Sequence, residues 1–324
     1  MSESLSVHEE RWPTGAARIA LLLWALSGCA HQAVRSADEV PRIAVVTAYE
    51  PELQALLPGM QVQATKILNG RTFYLGTLGG KPVVLFQSGI STINAAMTVQ
   101  LALSHFQVSH IVVSGIAGGV NPGLHVGDVV VPRQWANYQE QVFAREPTPG
   151  DWELLPFHTR ELGHYGMMFP QYTRVVRKDG PPDQAERRFW FDADPHLLSV
   201  ASGLERRVML EKCNGSQSQV CLQNTPRLKV GGRGVSGSTF VDNAAYRAWV
   251  WDNFQDGSSG GVDALDMETS AVATVAYANG VPFIGFRSLS DLAGGGPGSN
   301  EVEAFFQLAA GNSARVVRSF LEAL

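Results

Sequence analysis

Five short runs rich in β-branched and aromatic residues, each closed by Gly, Pro, Asp or Ala, constrain this chain more than any other feature. They are RIAVVTA (42–48), KPVVLFQSG (81–89), HIVVSGIAGG (110–119), GDVVVP (127–132) and PFIGFRSLSD (282–291). Runs of this length and composition, bounded in this way, read as the strands of an α/β sheet. Helical stretches alternate with them: INAAMTVQLALSHF (93–106), LDMETSAVATVAYANG (265–280) with Asn279-Gly280 as its stop, and EAFFQLAAGNSARVVRSFLEAL (303–324). The pattern predicts an α/β domain over residues 41–324. With 45% hydrophobic and 17% charged residues, the chain has ample material for a packed core. The segment 133–226 is richer in aromatics, Pro and charge, and no Gly/Ser linker isolates it, so it is expected as an elaboration within one domain. A net charge of -5 without a long basic run argues against a nucleic-acid partner.

The first 28 residues are expected to be a signal peptide, followed by a tether over 29–40. Arg18 precedes an apolar run of nine residues, Ile19 to Ser27, against roughly 20 for a membrane-spanning helix. The run ends in LSGC, which resembles a bacterial lipobox, so Cys29 is the expected lipidation site and the protein is expected to be exported, periplasmic and membrane-anchored. Glu9 and Glu10 in the long leading segment depart from such signals and point to a translation start downstream of Met1. In an oxidising compartment Cys213 and Cys221 are expected to form a disulfide closing a short loop.

Several familiar site motifs are absent or incomplete. GRGVSG (232–237) has the dinucleotide glycine spacing but no strand-helix-strand frame with a following acid. The eight histidines form no HxH or HExxH pair, no GxSxG occurs, and neither does a GxxxxGK[ST] loop. Neither a metal nor a cofactor is predicted.

What remains is a set of carboxylates at the ends of elements. IAVVTAYEPEL, SGIAGGVNPGLHVGDVVVP, GVSGSTFVDN, LDMETSAVA and FRSLSDLAGG follow one another in an order and spacing that resemble the purine nucleoside phosphorylase and nucleosidase superfamily over residues 41–324. The branch most similar is that of 5'-methylthioadenosine/S-adenosylhomocysteine nucleosidases. GIAGGVNP and SDLAGGG with the later SNE also resemble plant vegetative and bark storage proteins. The resemblance implies a single-domain mixed sheet flanked by helices, a purine nucleoside substrate and a homo-oligomer.

It also implies roles. Cleaving a purine N-glycosidic bond needs a proton for the departing base, stabilisation of a cation-like ribosyl group, and a nucleophile on the opposite sugar face. By resemblance Asp291 protonates the base, with Ser290 beside it among the substrate-binding residues. Glu268 accepts hydrogen bonds from the ribose diol, and Met267 lies along the sugar. Glu52 activates water, Phe240 stacks on the purine next to Val241, and Gly118 and Gly119 admit close approach of the sugar. Asp266 reads as a helix cap and Glu50 as a solvated first-turn acid. Ile116 departs from the pattern, standing where a serine is usual. The loop TAYEPE carries two carboxylates where phosphorylases commonly place a phosphate-binding arginine, which favours water over phosphate. Arg71 and Arg287 are the cations available for the alternative, a phosphorylase. A nucleoside-binding or storage-like protein is the reading outside enzymes.

Overall fold

The computed structural model describes residues 40–215, 220–255 and 261–324. The expected signal peptide, Cys29 and all but the last residue of the tether lie outside them. In chain order the strands are β1 (Arg42–Thr47), β2 (Gln61–Leu68), β3 (Arg71–Leu78), β4 (Lys81–Gln87), β5 (Val108–Gly119), β6 (Val129–Val131) and β7 (Gln134–Asn137). Then come β8 (Gln141–Phe143), β9 (Arg145–Thr148), β10 (Asp151–Glu153), β11 (Met168–Pro170), β12 (Thr173–Val175), β13 (Glu186–Arg188) and β14 (Trp190–Asp192). The last four are β15 (Leu228–Val230), β16 (Arg233–Ser236), β17 (Val262–Asp266) and β18 (Phe283–Asp291). The helices are α1 (Glu50–Leu56), α2 (Thr92–His105), α3 (Pro195–Ser202), α4 (Ala244–Asn253), α5 (Thr269–Asn279) and α6 (Val302–Ala323).

One mixed sheet organises the domain, in the order β14-β7-β16-β17-β5-β1-β4-β3-β2, with β18 paired to both β5 and β6, and β6 to β15. Strands β4, β1, β5 and β18 run parallel, whereas β17 meets the end of β5 antiparallel, Leu265 opposite Gly118. Alternation along the central strands divides the core. Ile43, Val45, Leu85, Val112 and Ile284 pack with Leu53 and Leu56 of α1 and Val316, Val317 and Phe320 of α6. Ala44, Val46, Phe86, Ile111 and Val113 pack on the other face with Ala95 and Val99 of α2 and Val272 and Ala273 of α5. Because helices cover both faces, β1 and β18 are buried at every position, the condition that makes such strands read as continuous apolar runs.

Three features differ from the sequence reading. The helix expected over 265–280 begins at Thr269, because Leu265 and Asp266 finish β17, held by pairing with β16 and β5. KPVVLFQ is the fourth strand, since β2 and β3 form a hairpin around Asn69 (φ 47°) and Gly70 (φ 72°), a turn suited to an Asn-Gly pair. The 133–226 segment is an elaboration only in its middle: β7 and β14 join the main sheet, and β8–β11, β9–β10 and β12–β13 form separate two-stranded pairs between them. The sulfurs of Cys213 and Cys221 lie 2.04 Å apart.

Candidate active site

A cavity of about 310 Å³ opens at the carboxyl ends of β1, β5, β17 and β18, and Glu52, Gly118, Phe240, Val241, Met267, Glu268, Ser290 and Asp291 all line it. This is where an open α/β sheet offers a crevice, since the loops leaving parallel strands diverge there. Phe240 is 55% exposed at the cavity wall, while Val241 beside it is buried. Glu50 sits in the first turn of α1, accepting from Gln54 Nε2 at the surface. Arg71 donates to Asn94 and does not line the cavity.

Arg287 is the centre of the arrangement. It sits in the middle of β18, 1% exposed. Its Nε lies 2.7 Å from Asp266 Oδ2, Nη2 lies 3.2 Å from Glu268 Oε2, and Nη1 lies 3.6 Å from Glu52 Oε1. It also donates to Ile116 O and Thr269 Oγ1. Three carboxylates thus share one guanidinium out of water. Burial works against the cation, but Asp266, Glu268 and Glu52 together outweigh it and raise its pKa. Asp266 has a second role: its Oδ1 accepts from the amides of Glu268 and Thr269, capping the start of α5.

Glu52 is 2% exposed. Its Oε2 accepts from Ala48 N at 2.6 Å and Tyr49 N at 3.4 Å, and its Oε1 from Ile116 N at 2.8 Å. Burial raises its pKa, opposed by Arg287 and these amides. Glu268, 6% exposed, accepts from Ser91 N at 2.9 Å through Oε1. Burial raises its pKa too, against the pull of Arg287 and with repulsion from Asp266 added. Asp291, 2% exposed at the end of β18, accepts from Ser290 Oγ at 2.9 Å and from Ala293 N at 2.8 Å. Burial again raises its pKa, opposed by Ala293, Ser290 and Asn300, while the charge facing it is the carboxylate of Glu301. Glu52 therefore has a cation beside it and Asp291 an anion, so the neighbouring charges act on the two carboxyls in opposite directions.

Backbone geometry is bent to serve these groups. Ser91 (φ 92°) and Ala293 (φ 52°) are in the left-handed region, uncommon for residues other than Gly, Asn and Asp. Each turns its amide onto a site carboxylate, Glu268 and Asp291 respectively, so local strain is held where it orients a charge. Gly115 is needed for a different reason. A Cβ there would lie 2.3 Å from Glu52 Oε1 and 2.1 Å from Arg287 Nη1, while one at Gly118 would approach Asp291 Oδ1 to 3.2 Å.

Sequence reasoning missed three contributions. The tie of Arg287 to Glu52, Asp266 and Glu268 had one visible signal, a charge inside an otherwise buried strand. Tyr49 lines the cavity with its hydroxyl buried and without a hydrogen-bond partner among the described residues; burial, Glu52 and Glu268 raise its pKa. The start of α6 adds Val302, Glu303 and Phe306 to the wall, and nothing local in the sequence points there.

Comparison with known proteins gives a consistent answer. The model of the Phosphorylase superfamily matches residues 42–322. A 5'-methylthioadenosine/S-adenosylhomocysteine nucleosidase of Bacillus thuringiensis (strain Al Hakam) is 28% identical over 253 residues, 78% of this chain and 87% of the relative. The crystal structure of the nucleosidase of that name from Neisseria meningitidis, in complex with methylthio-immucillin-A, aligns with a TM-score of 0.63 at 24% identity, covering 88% of this chain and 100% of that one. Futalosine hydrolase of Helicobacter pylori strain 26695 aligns with a TM-score of 0.62 at 22% identity, over 88% of this chain and 99% of its own. At these identities the two structures bear on the fold.

Proposed function

Because the chain belongs to the Phosphorylase superfamily, whose model spans residues 42–322, we propose that it is a purine nucleosidase, hydrolysing the N-glycosidic bond to free base and sugar. The observation that carries the choice of water over phosphate is the cavity's charge. Its lining includes Glu52, Asp266, Glu268, Asp291 and Glu303 and, among the described residues, neither Lys nor Arg. The nearby Arg287 is already enclosed by three carboxylates. A phosphate dianion entering here would meet repulsion without a guanidinium fork to hold it.

The chemistry follows from the geometry. Asp291 gives a proton to the base nitrogen as the glycosidic electrons move to the base, leaving a cation-like ribosyl group. Glu268 retains lone pairs beyond those used by Ser91 and Arg287 and accepts from the ribose diol. Glu52 takes a proton from water as the water oxygen bonds to the anomeric carbon; burial raises its pKa, which suits a proton acceptor, while its amide donors and Arg287 oppose that rise. Phe240 and Val241 hold the base, and Met267 packs along the sugar. Ile90, Val302 and Phe306 supply an apolar wall suited to a 5'-alkylthio group, in keeping with the substrates named for the Bacillus relative.

The test is base release from methylthioadenosine with and without phosphate. Full-rate release in phosphate-free buffer with free sugar as product is expected, and Glu52→Gln should stop it; strict phosphate dependence with a sugar 1-phosphate product overturns the hydrolase reading. Export and lipid anchoring at Cys29 belong to the same proposal on the strength of LSGC, and an intact segment 1–28 on the cellular protein would count against them. Self-association is proposed from exposed Ile90, Ile93, Met97 and Phe240 near the cavity.

A further inference from the structure

Val302, Glu303 and Phe306 line the cavity from the first turns of α6, where spacings of three and four residues put them on one face of the helix. Val302 and Phe306 are half-buried, whereas Glu303 is exposed, so its carboxylate stands at the rim of an apolar wall completed by Ile90. The other acids of the lining are committed. Glu52 accepts from three amides and faces Arg287. Asp266 accepts from Ser236 Oγ and two amides and pairs with Arg287. Glu268 accepts from Ser91 N and pairs with Arg287, and Asp291 accepts from Ser290 Oγ and Ala293 N. Glu303 has neither a hydrogen bond nor an ion pair among the described residues. A first-turn acid is favoured by the helix dipole wherever it points. The dipole therefore accounts for a carboxylate near the start of α6 and not for its place on the face shared with Val302 and Phe306.

We propose that Glu303 sets specificity for the 5' substituent, pairing with an ammonium at the end of a short thioalkyl chain and turning away a carboxylate there. The inference rests on the purine nucleosidase reading. With the base between Phe240 and Asp291 and the ribose diol at Glu268, the lining that remains on the α6 side for the 5' end is Ile90, Val302, Phe306 and Glu303. The three apolar side chains cover the alkyl chain. Its terminal ammonium gives Glu303 the charge-assisted hydrogen bond that no described protein group supplies. Closing the alkyl chain over the rim removes water from this pair, which strengthens it relative to an exposed one. A carboxylate in the same place meets Glu303 and the acids behind it, with neither Lys nor Arg in the described lining. The arginines around the site are engaged elsewhere: Arg287 by three carboxylates, Arg71 by Asn94 and Arg247 by Gly119 O.

The experiment uses matched adenine nucleosides that exchange an ammonium for a methyl: 5'-aminoethylthio against 5'-propylthio, and 5'-aminopropylthio against 5'-butylthio, with 5'-carboxyethylthio as the anionic member. The ratio of kcat/KM for amine over alkyl is measured in wild type, Glu303→Gln and Glu303→Lys. A ratio divides out any general change in activity or in the amount of folded enzyme. Wild type should use at least one amine as well as its alkyl partner or better. Glu303→Gln should lower that ratio about five- to thirtyfold, between the worth of an exposed ion pair and that of a buried hydrogen bond to a charge. The change should fall on KM and not kcat, since the contact is made in the ground and transition states alike, and it should shrink as salt is raised. Glu303→Lys should lower the ratio further and bring carboxyethylthio above both amines. A ratio that Glu303→Gln moves by less than about twofold in both pairs, or a wild type that prefers the alkyl member of both, overturns the inference. A wild type that releases no base from any of these compounds would sink the nucleosidase reading instead; calorimetric binding of the same pairs needs no turnover and would still decide the role of Glu303.

Discussion

Replacing Arg287 by Met keeps an unbranched apolar stem but removes the one cation shared by Asp266, Glu268 and Glu52, at 2.7, 3.2 and 3.6 Å. Breaking a buried pair from one side costs about 3–5 kcal/mol, because an uncompensated charge stays behind. Here three carboxylates stay behind, but they need not all remain charged. Glu52 and Glu268 already have raised pKa values through burial, and losing Arg287 raises them further. A carboxyl whose folded pKa exceeds its unfolded value binds protons in the native state that the unfolded chain has released. The penalty is therefore full well above the folded pKa, shrinks as pH falls through it, and vanishes below the unfolded value near 4. Urea unfolding of Arg287→Met against wild type should show a deficit of about 3–5 kcal/mol near pH 8, or a fall in Tm on the order of 10 °C, and a clearly smaller deficit near pH 5. A deficit under about 1 kcal/mol, the range of an exposed pair, or one equal at both pH values, would refute the shared-cation account.

Two further outcomes follow from the same geometry. Asp291→Asn should lower turnover of a purine nucleoside by about 10²- to 10⁴-fold, since the amide keeps the shape and loses the acid; steady-state kinetics with near-normal turnover would remove Asp291 from that role. Tyr49→Phe removes a buried hydroxyl that has no partner among the described residues, so stability should hold or rise, by at most the roughly 1–3 kcal/mol desolvation penalty of such a group; a loss of more than about 1 kcal/mol on thermal unfolding would show that the hydroxyl is satisfied.

The strands that form the centre of this fold were legible because a strand buried on both faces leaves a local mark. RIAVVT and the first half of PFIGFRSLSD need no knowledge of their neighbours to be recognised, and the long apolar face of α6 is equally plain. The carboxylates of the site were legible through motif order, since Glu52, Glu268 and Asp291 each sit at the end of such an element. What the local chain could not decide was pairing. Leu265 and Asp266 suit a helix by pattern, yet β16 and β5 claim them as strand; β7 and β14 look like parts of an insertion until the sheet takes them in. Arg287 shows the limit most clearly. A charge in an apolar strand announces that something must compensate it, but Glu52, Asp266 and Glu268 come from the starts of two helices and the end of another strand. Their proximity exists only after the sheet has formed. Burial and periodicity are properties of a segment and can be read along it, whereas three carboxylates sharing one guanidinium is a property of chain closure, set by which strands lie side by side.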